Sequence, residues 1–272
     1  MTISRPALPV VLASILCAGA VALPAAQQAG ESIPVPFSDP ARVGSVSVRV
    51  HDGSIVVRGE NRKDVLVTAS SNDGRSAIAR PVPPGFQRVS SGGGVTISEE
   101  NNRIQISAAT NRQTRLEIRV PTRVNLTLSG HNGSGIEVDN VEGDIEADHH
   151  NASIRLSNVG GSVVADTHNG DIRVVLTRIT GDKPMSFISW NGTVDVTLPA
   201  TAKANLKLRS NQGDIYTQFE MQLRPGAAPQ ARTDGRTRVI DANQSVYGAI
   251  NGGGPEFELR TWNGDIFVRK GQ

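Results

Sequence analysis

Apolar residues recur every nine positions through the middle of the chain, at Ile136, Ile145, Ile154, Val163 and Ile172. Each has an apolar or small partner two positions on: Val138, Ala147, Leu156, Ala165 and Val174. Period-two alternation puts one face of a strand in a core and the other in water. The same pairing occurs upstream at Val46/Val48, Ile55/Val57, Val65/Val67, Val95/Ile97, Ile104/Ile106, Leu116/Ile118 and Leu126/Leu128. Downstream it continues at Met185/Phe187, Val194/Val196, Leu206/Leu208, Ile215/Thr217, Phe257/Leu259 and Ile266/Val268. Short strands therefore account for most of the chain, and helices for little of it.

Two turn chemistries alternate between these strands. One is His131-Asn132-Gly133, His150-Asn151-Ala152, His168-Asn169-Gly170, Trp190-Asn191-Gly192, Asn211-Gln212-Gly213 and Trp262-Asn263-Gly264. The other is Asn140-Val141-Glu142-Gly143, Asn158-Val159-Gly160-Gly161 and, more loosely, Arg178-Ile179-Thr180-Gly181. Like turns return every 18 to 22 residues. A meander of hairpins has no need of two alternating turns, whereas a chain coiling through two strands per revolution does. The expected fold is all-β: a parallel β-solenoid, β-helix-like, with coils stacked at about 4.8 Å around a narrow Ile/Val interior. Nine coils would make a rod of roughly 43 Å. The crossover rule for parallel strands favours right-handed coiling.

The first residues address location. Arg5 precedes the apolar run Ala7 to Ala22, which ends at Leu23-Pro24-Ala25-Ala26. The run is shorter than the ~20 residues of a spanning helix and offers small residues for cleavage. Residues 1–26 are therefore expected to be a signal peptide, with 27–42 a linker and 43–270 a single solenoid domain. Cys17, the only cysteine, falls inside the leader, so the mature chain lacks disulfides, thiolate zinc sites and a cysteine nucleophile. No later segment is apolar enough to span a bilayer. The expected location is extracytoplasmic, periplasmic or secreted. With 28 Lys and Arg against 26 Asp and Glu, the chain has little general attraction for nucleic acid.

Two segments break the rhythm, 68–94 and 219–255, where prolines fall among Gly, Ser and Arg. Both are expected to be loop insertions. The second carries Arg224, Arg232, Arg236 and Arg238, a basic cluster able to meet an anionic partner.

The repeated G-D-I-x-V and N-G-D-I units, closing with Asn251-Gly252-Gly253-Gly254-Pro255 and Thr261-Trp262-Asn263-Gly264-Asp265-Ile266, resemble the bacterial putative-adhesin domain family over roughly residues 43 to 270. The resemblance implies an extracytoplasmic β-solenoid without known catalysis, in a family whose function is largely uncharacterised. It brings no catalytic residues with it.

Stacking coils also predicts columns of equivalent side chains. His131, His150 and His168 fall in one column, continued by Trp190, Asn211 and Trp262, and this edge is the candidate partner-binding surface. Stacking suits flat rings, whereas zinc needs nitrogens at about 2.0–2.1 Å and ligands spaced ~4.8 Å apart do not converge on it. Asn132, Asn151, Asn169, Asn191 and Asn263 form a second column, expected to be a structural ladder of amide hydrogen bonds. Asp144, Asp171, Asp214 and Asp265 sit one place before the apolar residue, not two as in calcium-binding nonapeptides, and are expected to bond turn backbone.

Outward residues Glu137, Arg155, Arg173 and Asp195, then Tyr216 and Phe267, line one face. Glu137 and Asp195 would lie three coils apart, near ~14 Å, too far to cooperate as a glycosidase pair. No metal, cofactor or catalytic residue is assigned. The expectation is a non-enzymatic adhesin-like protein presenting or binding an envelope glycan or protein. The alternatives are a polysaccharide-acting enzyme or accessory module on a β-helix scaffold, and a self-assembling structural envelope protein joined through its end coils.

Overall fold

A computed structural model describes residues 32–71, 94–108, 113–179, 182–223, 231–234, 237–240 and 245–271. The leader, with Cys17, and most of the 68–94 insertion lie outside the described residues.

Every regular element among the described residues is a strand. Most belong to two ladders that share one hydrophobic core. Ladder A runs, in spatial order, through Val95–Glu100, Arg103–Ala108, the first half of Gly44–Glu60, the first half of Val124–Asp139, Ile145–His149, Val163–Asn169, Met185–Asn191, Glu256–Asn263, Ala204–Gln212, Val246–Ile250 and Met221–Leu223. Ladder B runs through Ser32–Pro36, Asp64–Ser71, Thr114–Pro121, the second halves of Gly44–Glu60 and Val124–Asp139, Ile154–Gly161, Ile172–Ile179, Val194–Leu198, Ile266–Lys270 and Ile215–Thr217. Pairing is parallel throughout the interior of both ladders and antiparallel only at their ends. Each interior rung contributes one strand to each ladder, the geometry of a β-solenoid.

Register confirms the coil as the repeat. Ile136 lies opposite Ile154 and Ile154 opposite Ile172. Ile145 lies opposite both Leu126 and Val163. Inward residues are almost fully buried, and where ladder A places Phe187 and Phe257, ladder B offers the smaller Val194, Val196 and Val268. Such size alternation is how a narrow interior stays close-packed without large side chains on both walls.

The corners show why glycine and asparagine recur. At Gly133 φ is +113° and a Cβ would lie 2.0 Å from the carbonyl oxygen of Gly53 in the neighbouring rung, so backbone packs on backbone there. At the second corner Asn140 and Asn158 take φ of 58° and 52°, a conformation that asparagine tolerates better than most residues.

Three expectations change. The stack has eight parallel rungs among the described residues, not nine, because Asp64–Ser71 and Val95–Glu100 pair antiparallel and close one end instead of forming a coil. Chain order is also not spatial order. Rung 103–121 lies outside rung 44–60, and rung 256–270 sits between rungs 185–198 and 204–217. The long excursions before 103 and 256 give the chain enough length to come back on the other side of a rung already laid down. Finally, two supposed irregular segments hold strands. Ser32–Pro36, placed in the linker, pairs with Asp64–Ser71, and the nearby Phe37 is buried against Gly44. Within 219–255, Val246–Ile250 and Met221–Leu223 extend ladder A antiparallel, and Ala231–Asp234 pairs with Thr237–Ile240 as a separate hairpin. Pro34 and Pro36 lack N–H donors, which suits an edge strand that must not recruit another chain.

Candidate functional site

On each ladder A strand, three outward positions alternate with the buried ones. The third lies just before the corner, and stacking brings these residues into one ribbon of six rings: His51, His131, His150, His168, Trp190 and Trp262. Successive centroids are 5.0, 4.8, 4.9, 5.6 and 5.0 Å apart, with interplanar angles between 2° and 17°. Aromatic pairs contribute about 0.5–1.5 kcal/mol beyond the area they bury. His51 escaped the sequence reading because His51-Asp52-Gly53 departs from the His-Asn-Gly form of the other turns, although Asp52 is in register with Asn132. Asn211 was placed between the two tryptophans. It instead lies beyond Trp262, because rung 256–270 inserts ahead of rung 204–217. The same exchange puts Phe267 before Tyr216 on ladder B, where the two rings stack at 5.0 Å.

Stacking along the rod covers ring faces and leaves ring edges outward. Trp190 is 45% exposed. The ribbon therefore offers solvent a row of imidazole and indole ring edges at strand spacing, not open π-faces.

Beside the rings runs the amide column. Asn151 donates from Nδ2 to Asn132 Oδ1 at 2.8 Å, Asn169 to Asn151 at 2.9 Å, Asn191 to Asn169 at 2.8 Å and Asn263 to Asn191 at 2.6 Å. Each interior amide gives one bond and receives one, so the corner is fastened along the rod axis.

A third column, absent from the sequence reading, lies just inside the rings. Thr167, Ser189, Thr261 and Ser210 donate hydroxyl hydrogens to the corner carbonyls of Ala152, Gly170, Gly192 and Gly264, at 2.8 to 2.9 Å. Its signal was a Ser or Thr directly before the ring residue. His149 occupies the same column, opposite Gly130 and Thr167. It is buried, its Nδ1 has no hydrogen-bond partner, and a Cβ on Gly130 would lie 2.3 Å from its Cδ2. Burial is the main cause holding its proton affinity below that of an ordinary histidine. The Asp148 charge opposes this, and His131 and His150 add to it.

Of the four aspartates after the turn glycines, two act on backbone and two on side chains, Asp214 accepting from the Tyr216 hydroxyl at 3.1 Å. Asp171 Oδ1 accepts from Thr193 N at 2.8 Å and Asp265 Oδ1 from Asp214 N at 2.8 Å, while Asp144 binds Lys183 at 2.8 Å. Among the described residues no group of three or more His, Cys, Asp or Glu is placed to hold a metal ion. Of the basic cluster, Arg224 and Arg236 lie outside the described residues, and Arg232 and Arg238 fall in the hairpin strands. Among the described residues no helix is long and apolar enough to cross a membrane.

A family model described as Toastrack DUF4097 matches residues 125–269. Among solved structures, the chain is similar to a putative cell adhesion protein from Clostridium sporogenes, with 10% identity, 89% of this chain and 99% of that one covered, and a TM-score of 0.41. It is also similar to a putative adhesin from Bacteroides fragilis, with 11% identity, 88% and 96% covered, and a TM-score of 0.37. No curated protein matches it.

Proposed function

The chain belongs to the Toastrack DUF4097 family, and we propose that it is a non-enzymatic, adhesin-like β-solenoid that acts outside the cytoplasm and binds an envelope glycan or protein along its ring ribbon. One observation carries the reading: six rings stacked in near-parallel planes form an unbroken ribbon along roughly 24 Å of the rod. A row of imidazole and indole rings at a fixed short repeat suits an extended, repetitive ligand whose hydroxyl or carbonyl groups recur on a similar scale. The leader-like segment Arg5 and Ala7 to Ala22 supports export. The solenoid domain is read as spanning 43–270, preceded by the paired segment at 32–36.

The test is capture from envelope extract by immobilised wild type and by Trp190→Ala plus Trp262→Ala. Loss of the captured partner in the variant supports recognition at the ribbon, and identical capture removes it from the ribbon. Incubation with common polysaccharides, followed by assay for new reducing ends, checks the non-enzymatic part; reproducible turnover would overturn it.

A further inference from the structure

The second outward position of ladder A, one step in from the rings, reads Asp148, Asp166, Ile188, Arg260, Arg209 along the rod. Register fixes this order: Asp148 lies opposite Asp166, Asp166 opposite Ile188, Ile188 opposite Arg260, and Arg260 opposite Arg209. Two carboxylates stand side by side at one end and two guanidiniums at the other. An isoleucine that is only partly buried lies at the midpoint.

Among the described residues none of the four charged groups has an ion pair. Arg209 donates from Nε only to Asn211 Oδ1, at 3.3 Å. Asp166 is outward-facing, yet partial desolvation and then the neighbouring Asp148 charge raise its proton affinity, while His168 two residues on offsets part of this. Like charges directly across neighbouring strands oppose folding. This face keeps two such pairs in adjacent blocks of opposite sign, an arrangement that leaves each block without its natural partner.

The pattern is its own complement when reversed. We infer that ladder A's outward face docks against the same face of a second copy, the rods antiparallel and the two-fold axis parallel to the strands over Ile188. In that arrangement Asp166 meets Arg260 of the second copy, Asp148 meets its Arg209, and Ile188 meets Ile188. Glu146, on the Asp148 rung, meets Lys207 of the second copy, a lysine that within its own chain binds Glu258 at 3.1 Å. Every contact away from the axis occurs twice and the Ile188 contact on the axis once, as an isologous two-fold interface requires.

The overlap spans roughly seven strands at ~4.8 Å, a footprint of about 30 by 20 Å and below the ~800 Å² per partner of a standard interface. Charge carries much of it, so the dimer is salt-sensitive. It differs from assembly through end coils, because the rods lie side by side. Because the axis runs along the strands, the ring column comes to lie beside its counterpart on the second copy, so dimer formation and a ligand on the ribbon compete for this face.

Sedimentation velocity over a concentration series, at low and high salt, tests it. Wild type is expected to form dimers that weaken about tenfold or more at high salt. Asp148→Arg plus Asp166→Arg is expected to be monomeric, as is Arg209→Asp plus Arg260→Asp. An equimolar mixture of the two variants should recover the dimer, because each then offers the charges that the other lacks. That recovery also shows both variants to be folded. A wild type that stays monomeric throughout, variants that dimerise as wild type does, or a mixture that fails to associate would each overturn the inference. Envelope capture by the monomeric variants reads ribbon binding separately from dimer formation.

Discussion

The two outward faces of the rod share one backbone register and differ in whether their charges are answered within the chain. On ladder B the column reads Glu137, Arg155, Arg173, Asp195, and although the two arginines lie side by side, each has an acidic neighbour: Glu137 faces Arg155 at 3.9 Å, and Asp195 lies between Arg173 at 3.7 Å and Arg269 at 2.8 Å. Arg269 also lies 5.0 Å over the Phe267 ring, and its bond to Asp195 raises its already high proton affinity. On ladder A the matching column puts acid beside acid and base beside base. The backbone is indifferent to this choice, since both faces repeat at the same spacing. A face whose charges are answered within the chain contributes to the fold, and one whose charges are segregated spends stability that only an external partner can return.

The sharpest way to break this comparison is to make the same change on both faces. Asp195→Asn removes the negative charge shared by two guanidiniums from a nearly buried site, and is expected to lower stability by about 1–3 kcal/mol. Asp166→Asn relieves a like-charge neighbour. In the monomeric background of Arg209→Asp plus Arg260→Asp, it is expected to leave stability unchanged or raise it by up to ~1 kcal/mol. Denaturant midpoints measure both. Equal losses at the two positions would mean that the faces do not differ in kind.

Much of this architecture was legible in the residues. The nine-residue spacing of Ile136 to Ile172 defines strands, and the alternating turns define a coil, because inward periodicity is imposed by a narrow core whose polar members sit beside the corners. Columns followed wherever chain order and spatial order agree, as from His131 to Trp190. They were misordered at Asn211, because a strand's local pattern says that it belongs to the stack and not which edge it joins. Long excursions uncouple the two orders. Ser32–Pro36 was missed as a strand because its partner is antiparallel and its prolines argue against pairing. His149 was missed because the ring next to it, His150, fits the repeat, and its own room comes from Gly130, nineteen positions earlier. The self-complementary column was also readable in principle, but only once rung 256–270 is placed before rung 204–217.

The amide column sharpens the comparison at the rim between the faces, where every group is answered internally. Asn169→Leu removes one bond to Asn151 and one from Asn191 and is expected to cost about 1–2 kcal/mol, with no effect on dimer formation. A melting temperature equal to wild type would show the column to be ornamental. The hydroxyl column inside it predicts a pH effect at its exceptional member. His149 in the fold binds its proton more weakly than the ordinary value of about 6.5. Above that pH both folded and unfolded chains keep it neutral and it contributes no pH dependence. As the pH falls below about 6.5 the unfolded chain gains a proton that the buried ring resists, so stability drops until the lower folded-state value is passed. His149→Thr, which restores the hydroxyl found at Thr167 and Thr261, should flatten this slope between about pH 7 and 5. Parallel stability curves for variant and wild type would refute the assignment.

The smallest effect is expected where the two faces come closest to agreeing. Glu137 and Arg155 are paired at 3.9 Å, yet both side chains are more than half exposed, and water screens what the geometry offers. Glu137→Gln should therefore change unfolding free energy by less than ~0.5 kcal/mol, and less still in high salt. Asp195 makes the same kind of pair with its carboxylate only 9% exposed, so the ratio of the two losses isolates burial from pairing. A Glu137→Gln loss as large as that of Asp195→Asn would mean that pairing of unlike charges, and not the shelter of Asp195 between two guanidiniums, is what sets ladder B apart.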